Sequence, residues 1–361
     1  MPFHRRPPRS AGRRALVLVS AVTLVLAATG CDLTKVGRRC SGSGWARDTS
    51  HVLQCRNGRW AKAMTFGDYL RFVDAANQQA AAEQRRKESS EARAAVMRGT
   101  GAWVDVYDWS PTFVNFKKAG AVPSFTLSRI DRMADAGIST LYIQTAKSDI
   151  PDAVLDRELL TSIIAKARSR SMRVVGWYLP TFADPAADQA HLAATADLGV
   201  DGLGVDIEST VTELTLRNQR LVDLSNWLRQ TYPAMPLSAI VLPPVVTDII
   251  NLKYWPQFPW QQLAASYDVW MPMSYWTNRT PASGWRDGYL YTRENIDRVR
   301  ANLGLPTATV HPVGGLSDAA TDHDIDGFIQ AANEKGAIGA GLYDDGISSP
   351  AQYARLAPMA R

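Results

Sequence analysis

The 361-residue sequence lacks the motifs that mark nucleotide, zinc and serine-hydrolase sites. No G-x-G-x-x-G or Walker loop follows a predicted strand, no H-E-x-x-H occurs, and no serine lies in a G-x-S-x-G elbow. The histidines are few, and His311 and His323 do not have the spacing of zinc ligands. We therefore expect neither a metal ion nor a cofactor.

Acidic residues are absent from positions 1–30, which hold five arginines. The rest of the chain balances 35 basic against 35 acidic residues, with a net +6 over 31–98 and a net −6 over 99–361. Because phosphate contacts need a basic surface, this neutral balance argues against a nucleic-acid partner.

The apolar stretch Ala15–Ala28 covers 14 residues, fewer than the roughly 20 needed to span a bilayer. After the arginines it is typical of a signal peptide, which we place at 1–30. The sequence Ala28-Thr29-Gly30-Cys31 resembles a lipobox, with Ala28 in place of the usual leucine. This resemblance implies a lipid anchor on Cys31 at the outer face of the cell membrane. Ordinary secretion is the alternative.

Cys40 and Cys55 bracket a turn-rich stretch in this exported context, which favours a disulfide over a metal site. Such a bridge would stabilise the fold by roughly 3 kcal/mol. We predict a small disulfide-stapled module over 31–65. Its available core residues are Trp45, Val52, Leu53 and Trp60.

Residues 66–98 predict a helical linker, since no proline or glycine occurs between Asp68 and Arg98. The segment is rich in glutamine, alanine and charge, so its surface is polar. We expect it to hold the following domain away from the membrane.

From residue 99 onward, short apolar runs alternate with amphipathic stretches. Near-continuous apolar runs are typical of parallel strands that are buried on both faces. Eight such units predict a (β/α)8 TIM barrel over 99–361. A doubly wound open sheet is the alternative, but no phosphate-binding loop follows a strand. The predicted strands are 103–109, 140–146, 173–180, 202–208, 237–244, 269–276, 307–314 and 340–346.

Working residues of such barrels lie at the carboxyl ends of the strands, where acidic and aromatic residues recur in this sequence. Buried carboxylates are costly without a use or a partner. His311 fits a hydrogen-bonded core residue equally well. The candidate substrate-binding residues are Asp105, Asp108, Gln144, Trp177, Trp276, His311, Tyr343 and Asp344.

The sharpest local pattern is D-G-L-G-V-D-I-E over 201–208. The strand period of two turns Asp206 and Glu208 to the same face, opposite the apolar positions 203, 205 and 207. Close carboxylates repel, so one should hold a proton, as a general acid must. The alternative is that Glu208 caps or salt-bridges the next helix.

This octapeptide resembles the D-G-x-D-x-D-x-E signature of family 18 glycoside hydrolases, the chitinases and related endo-N-acetylglucosaminidases, which are (β/α)8 barrels. The resemblance implies that Glu208 is the proton donor and that Asp206 orients the N-acetyl group of the substrate. Met273-Ser274-Tyr275-Trp276 is similar to the family's Met-x-Tyr motif, which implies that Tyr275 steadies the acetamido group. Gly204 stands where the family has its first in-strand aspartate, and Trp276 where aspartate is common.

The leading hypothesis is a monomeric, membrane-anchored glycoside hydrolase acting on an extracellular or cell-wall polysaccharide. Either the N-acetyl carbonyl of the sugar attacks the anomeric carbon, or a second carboxylate serves as nucleophile or base. The alternative is a non-catalytic carbohydrate-binding or scaffold protein on a degenerate barrel, which Gly204 favours. The candidates for the second carboxylate are Asp105, Asp108, Asp344 and Asp345.

Overall fold

The computed structural model describes residues 36–360, so the predicted leader and Cys31 lie outside the described residues. The described chain divides into two compact units between Ser89 and Ser90. Among residues 36–360, no helix is both long and apolar enough to cross a membrane.

The first unit begins with an antiparallel sheet of β1 (Trp45–Arg47), β2 (His51–Arg56) and β3 (Arg59–Thr65). A disulfide joins Cys40 to Cys55 on β2, which confirms the predicted pairing. Val52 and Leu53 are fully buried, whereas the predicted core residues Trp45 and Trp60 are only half-buried.

Helix α1 spans Phe66–Ala94 and continues into a 3-10 turn at Ala95–Met97, which confirms the helical prediction. Its last turns belong to the second unit, where Ser90 and Arg93 both bind the buried carboxylate of Asp268. Residues 90–98 are therefore part of the barrel unit, although the sequence predicted them as linker.

In the described part of the chain, eight parallel strands close into a barrel in sequence order, which confirms the predicted fold class. The last strand pairs with the first and closes the ring. The strands are β4 (Gly99–Val104), β5 (Thr140–Gln144), β6 (Arg173–Tyr178), β7 (Gly202–Ile207), β8 (Leu237–Val241), β9 (Val269–Ser274), β10 (Val313–Gly314) and β11 (Gly339–Leu342).

Helices follow the strands and cover the outside of the barrel with a continuous apolar core. Between β8 and β9 the chain instead forms a π-helical turn at Val246–Ile250 and one short helix. The helices are α2 (Val106–Trp109), α3 (Pro111–Lys117), α4 (Leu127–Asp135), α5 (Arg157–Ser169), α6 (Pro185–Ala196), α7 (Leu214–Thr231), α8 (Trp260–Leu263), α9 (Gly288–Leu303), α10 (Asp322–Glu334) and α11 (Pro350–Arg355).

Strand β4 departs most from the prediction, because it begins at Gly99 and its predicted second half forms α2. A glycine-rich sequence does not predict a strand, yet glycines are required where β4 pairs with β11. A Cβ on Gly339 of β11 would lie 2.2 Å from the carbonyl oxygen of Gly99. Close backbone approach at the closing seam therefore explains these glycines.

The barrel interior is filled by large side chains below the mouth. Trp103 stacks on Tyr142 with ring centroids 4.4 Å apart, and Trp177 lies 6.1 Å from Trp103. Met271 and Val313 complete the filling from the opposite strands. Only the mouth, at the carboxyl ends of the strands, remains for chemistry.

Candidate active site

Strand β7 places two carboxylates at the mouth. Its alternate residues at 203, 205 and 207 are fully buried in the outer core, so the opposite face points into the barrel, as predicted. Asp206 is 6 % exposed, and its Oδ1 has no hydrogen-bond partner in the described chain. Glu208 follows the strand and is half-buried.

Burial raises the pKa of Asp206 well above its ordinary range, and the neighbouring Glu208 raises it further. Burial also raises the pKa of Glu208, while the positive charge of Lys147 opposes both shifts. Because ionising both carboxylates is costly, the pair retains a proton at pH values where exposed carboxyls have lost theirs.

Tyr275 follows β9 and faces both β7 carboxylates. Its pKa is raised well above the ordinary value by burial and then by four nearby carboxylates, among them Asp206 and Glu208. Its ring centroid lies 5.7 Å from that of Tyr343. A Cβ on Gly315 would lie 2.2 Å from the Tyr275 ring, so that glycine makes room for the tyrosine.

A second carboxylate group is formed by Asp105 and Asp108, which lie just before and within α2 after β4, and by Asp344, which lies on the loop after β11. Oδ2 of Asp105 accepts a hydrogen bond from the Tyr343 hydroxyl at 2.8 Å. A Cβ on Gly346 would lie 2.7 Å from Oδ1 of Asp108 and 2.9 Å from Oδ1 of Asp344. Gly346 therefore lets these two carboxylates approach each other.

Burial, with Asp344 nearby, raises the pKa of Asp108 to about 7. Burial, with Asp105 nearby, raises the pKa of Asp344 to about 6. Asp345 differs, because it forms an ion pair with Arg129 and accepts a hydrogen bond from Tyr353. Among residues 36–360, no group of three or more His, Cys, Asp or Glu side chains is arranged to hold a metal ion.

Two predicted contacts lie away from the mouth. Trp276 begins the 3-10 turn Trp276–Asn278 after β9 and is fully buried against Phe328, with ring centroids 5.4 Å apart. His311 is fully buried, its Nδ1 lies 2.8 Å from the carbonyl oxygen of Met97, and burial lowers its pKa to about 4. It is therefore a neutral core residue.

Gln144 and Trp177 lie beneath the mouth and support it. Oε1 of Gln144 accepts from the Val106 amide at 3.2 Å, and its carbonyl accepts from Nε1 of Trp109 at 2.9 Å. These bonds fix the loop that carries Asp105. Trp177 is buried in the barrel interior.

Sequence reasoning missed Lys147, which lies on the loop after β5. Its Nζ is 5.8 Å from the ring centroid of Tyr107, and it is the one cation that acts on both Asp206 and Glu208 in the described chain. Lys147 belongs to no motif. The available signal was its position directly after the predicted strand 140–146, whereas the observed β5 ends three residues earlier, at Gln144.

The space in front of Gly204 is occupied. A Cβ there would lie 3.0 Å from both Cδ1 of Ile240 and Cβ of Trp177, and 3.3 Å from Oγ of Ser238. An aspartate at this position would require its neighbours to move. At Gly204, where the family 18 signature has an aspartate, the side chains of Ile240, Trp177 and Ser238 therefore fill the space that the aspartate would need.

No protein-family model matches the chain, and no curated protein sequence matches it. Solved structures do. The C-terminal domain of a protein assigned as a chitinase from Desulfitobacterium hafniense is 11 % identical, with a TM-score of 0.52 over 73 % of this chain and 99 % of that one. A GH18 chitinase mutant from Cycas revoluta in complex with (GlcNAc)4 is 13 % identical, with a TM-score of 0.51 over 72 % and 98 %.

The spore cortex-lytic enzyme SleL from Bacillus megaterium is 9 % identical, with a TM-score of 0.51 over 73 % of this chain and 74 % of that one. At these identities the likeness concerns the fold. The second unit therefore has the (β/α)8 fold of family 18-like glycoside hydrolases.

Proposed function

We propose that the protein is an exported, membrane-anchored glycoside hydrolase that cleaves an extracellular or cell-wall polysaccharide, with Glu208 as the general acid. One observation carries the proposal. A half-buried glutamate at the end of β7 shares its surroundings with the buried Asp206, and both carboxyls have raised pKa values. A carboxyl that keeps its proton near neutral pH can protonate a leaving group.

In the favoured route, Glu208 donates its proton to the glycosidic oxygen and the leaving sugar departs as an alcohol. The carbonyl oxygen of the substrate's own N-acetyl group attacks the anomeric carbon as the glycosidic bond breaks. Water then opens the cyclic intermediate and gives its proton back to the Glu208 carboxylate. The free Oδ1 of Asp206 supports this route, because it can accept the N–H of the acetamido group. Tyr275 can donate to the acetamido oxygen.

In the alternative route, a member of the second carboxylate group acts as nucleophile or base. Asp344 fits that role better than Asp105, because Oδ2 of Asp105 is already bound by Tyr343. A substrate without an N-acetyl group requires this route, whereas the favoured route needs that group.

Two further features support the choice of substrate and location. The Cycas revoluta chitinase, which shares the fold, was solved with (GlcNAc)4, and this favours a polysaccharide containing N-acetylglucosamine. The Cys40–Cys55 disulfide favours an oxidising compartment, which an exported protein reaches. The anchor itself rests on the lipobox resemblance at Cys31.

Replacing Glu208 by Gln tests the proposal. Turnover of unactivated N-acetylglucosamine oligomers should fall by about 10²–10⁴-fold, because the leaving group is no longer protonated. Activated aryl glycosides, which need little protonation, should be affected far less. Glu158→Gln on the exposed face of α5 is the matched control. Wild-type turnover of an unactivated oligomer by Glu208→Gln would place the acid elsewhere.

A second candidate function is non-catalytic carbohydrate binding, which the filled space at Gly204 favours. In that case the wild-type protein would bind N-acetylglucosamine oligomers without cleaving them. Binding would then weaken in Asp206→Ala, while no oligomer would be shortened on prolonged incubation.

A further inference from the structure

The outer wall of the barrel carries a groove that none of the mouth residues lines. It lies between α7 and residues 257–262 of the segment that connects β8 to β9, with Asn302 of α9 at its edge. Its volume is about 630 Å³. Ligand sites in proteins commonly measure about 300–1,000 Å³, so the groove is large enough for a small ligand or a short polymer segment.

The groove is uncharged. None of its 12 lining residues is Asp, Glu, Lys or Arg, although these types make up 21 % of the chain. Six of the 12 are Asn or Gln. An ionic ligand would find no opposite charge here, whereas side-chain amides both donate and accept hydrogen bonds, as hydroxyl and acetamido groups require.

Three of these amides are available to a ligand. Within residues 36–360, the side chains of Gln257, Gln261 and Gln262 make no hydrogen bond to the protein. The amide of Asn218 is by contrast occupied. It accepts from Nε1 of Trp255 at 2.7 Å and donates to the Gln257 carbonyl at 3.0 Å, which fixes the groove wall.

Two aromatic rings add an apolar surface to the groove. Phe258 and Trp260 are half-buried, and their centroids lie 4.6 Å apart. A buried tryptophan packs against each ring. The ring centroids of Phe258 and Trp255 are 5.3 Å apart, and those of Trp260 and Trp270 are 5.5 Å apart. Supported aromatic rings beside free amides suit a sugar, which has apolar C–H faces and hydroxyl edges.

From this combination we propose that the groove is a second, non-catalytic binding site for a short stretch of an uncharged polysaccharide. The binding rests on the chemistry of the groove and does not need Glu208, whereas the role given next rests on the proposed hydrolase. Its role would be to hold the polymer on the protein while the mouth acts on it.

The test uses the full chain carrying Glu208→Gln, titrated with (GlcNAc)4 and with cellotetraose. The double variant Gln261→Ala/Gln262→Ala should raise the Kd of groove binding at least tenfold for the saccharide that binds. Gln78→Ala/Gln79→Ala on exposed α1 is the matched control. With Glu208 restored, the double variant should keep its kcat/KM on soluble oligomers and bind less to insoluble polymer.

The proposal would be overturned if the double variant and the control bound each tetrasaccharide with the same Kd, because the groove substitutions would then affect no sugar binding. A change in self-association instead of sugar affinity, measured by analytical ultracentrifugation, would assign the groove to a protein partner. The wild-type chain could lack turnover while the double variant still binds sugar more weakly. This result would contradict the proposed hydrolase but support the groove as a binding site.

Discussion

Gly204 shows how one residue separates this barrel from the signature that it resembles. With Cβ contacts of 3.0 Å to Ile240 and Trp177, even a methyl group is tight. Gly204→Ala should therefore lower the free energy of unfolding by about 1–3 kcal/mol, as overpacking does. Urea denaturation measures this, with Gly67→Ala in α1 as a control whose Cβ meets nothing closer than 4.0 Å. An unchanged midpoint in Gly204→Ala would show that the site is not filled.

Asp108 links stability to pH. Its pKa rises from 3.8 in the unfolded chain to about 7 in the folded protein, so the folded state binds the proton more tightly. Stability should therefore fall as the pH rises from about 4 to about 7, and the loss should be complete above that range.

Asp108→Asn removes this penalty. The variant should match the wild type near pH 4 and exceed it at pH 8 by on the order of 2 kcal/mol, less than the full shift in pKa implies because the half-buried side chain is screened by solvent. Thermal unfolding at the two pH values measures the difference, with the exposed Asp152→Asn as control. A variant that gains nothing at pH 8 would contradict the raised pKa.

At the scale of elements, Asp268 fastens the end of α1 to the amino-terminal face of the barrel. Arg93 and Arg229 both bind its carboxylate, at 2.9 Å and 2.7 Å, and the Leu237 amide donates to it at 3.0 Å. Asp268→Ala leaves two guanidinium groups without their shared carboxylate, which should cost about 3–5 kcal/mol.

Chemical denaturation checks this expectation. The exposed Asp318→Ala should stay within about 0.5 kcal/mol of the wild type. If Asp268→Ala unfolded at the wild-type denaturant concentration, the pairing would contribute nothing to the attachment of α1.

Most elements of the barrel were predictable from the sequence, because parallel strands buried on both faces need apolar runs. The failures have physical causes. Strand β4 starts with Gly99-Thr100-Gly101, which has no apolar signal, and β10 shrinks to Val313–Gly314. Backbone pairing holds both segments, of β4 with β11 and β5 and of β10 with β9 and β11, and pairing partners are not visible in a local pattern.

In the candidate site, too, the features set by neighbouring residues in the sequence were predictable, and those set by distant residues were not. The inward pair Asp206 and Glu208 followed from strand alternation alone. The meeting of Asp108 with Asp344 did not, because it depends on barrel closure and on the small size of Gly346. For His311 the sequence left a substrate contact and a core residue equally open, because sequence does not reveal how deep in a barrel a strand residue lies; its full burial agrees with the core alternative.

At the scale of the whole molecule, the mouth of the barrel brings together acidic side chains from several strand ends. The pair Asp206 and Glu208, the second carboxylate group and the two tyrosines Tyr275 and Tyr343 lie near one another there, with Lys147 as a nearby cation. A neutral glycan gains hydrogen bonds from such a mouth without facing like charge. This agrees with the uncharged groove on the outer wall.

The crowding of the mouth carboxylates has a calorimetric consequence. A glycan that displaces water from the mouth would bury Asp108 and Asp344 further and raise their pKa values above about 7 and about 6. Near those pH values the complex should draw protons from the buffer. Titration heats should then be more endothermic in a buffer of high ionisation enthalpy than in one of low ionisation enthalpy. Equal heats in both buffers would mean that the bound sugar leaves these carboxylates in contact with water.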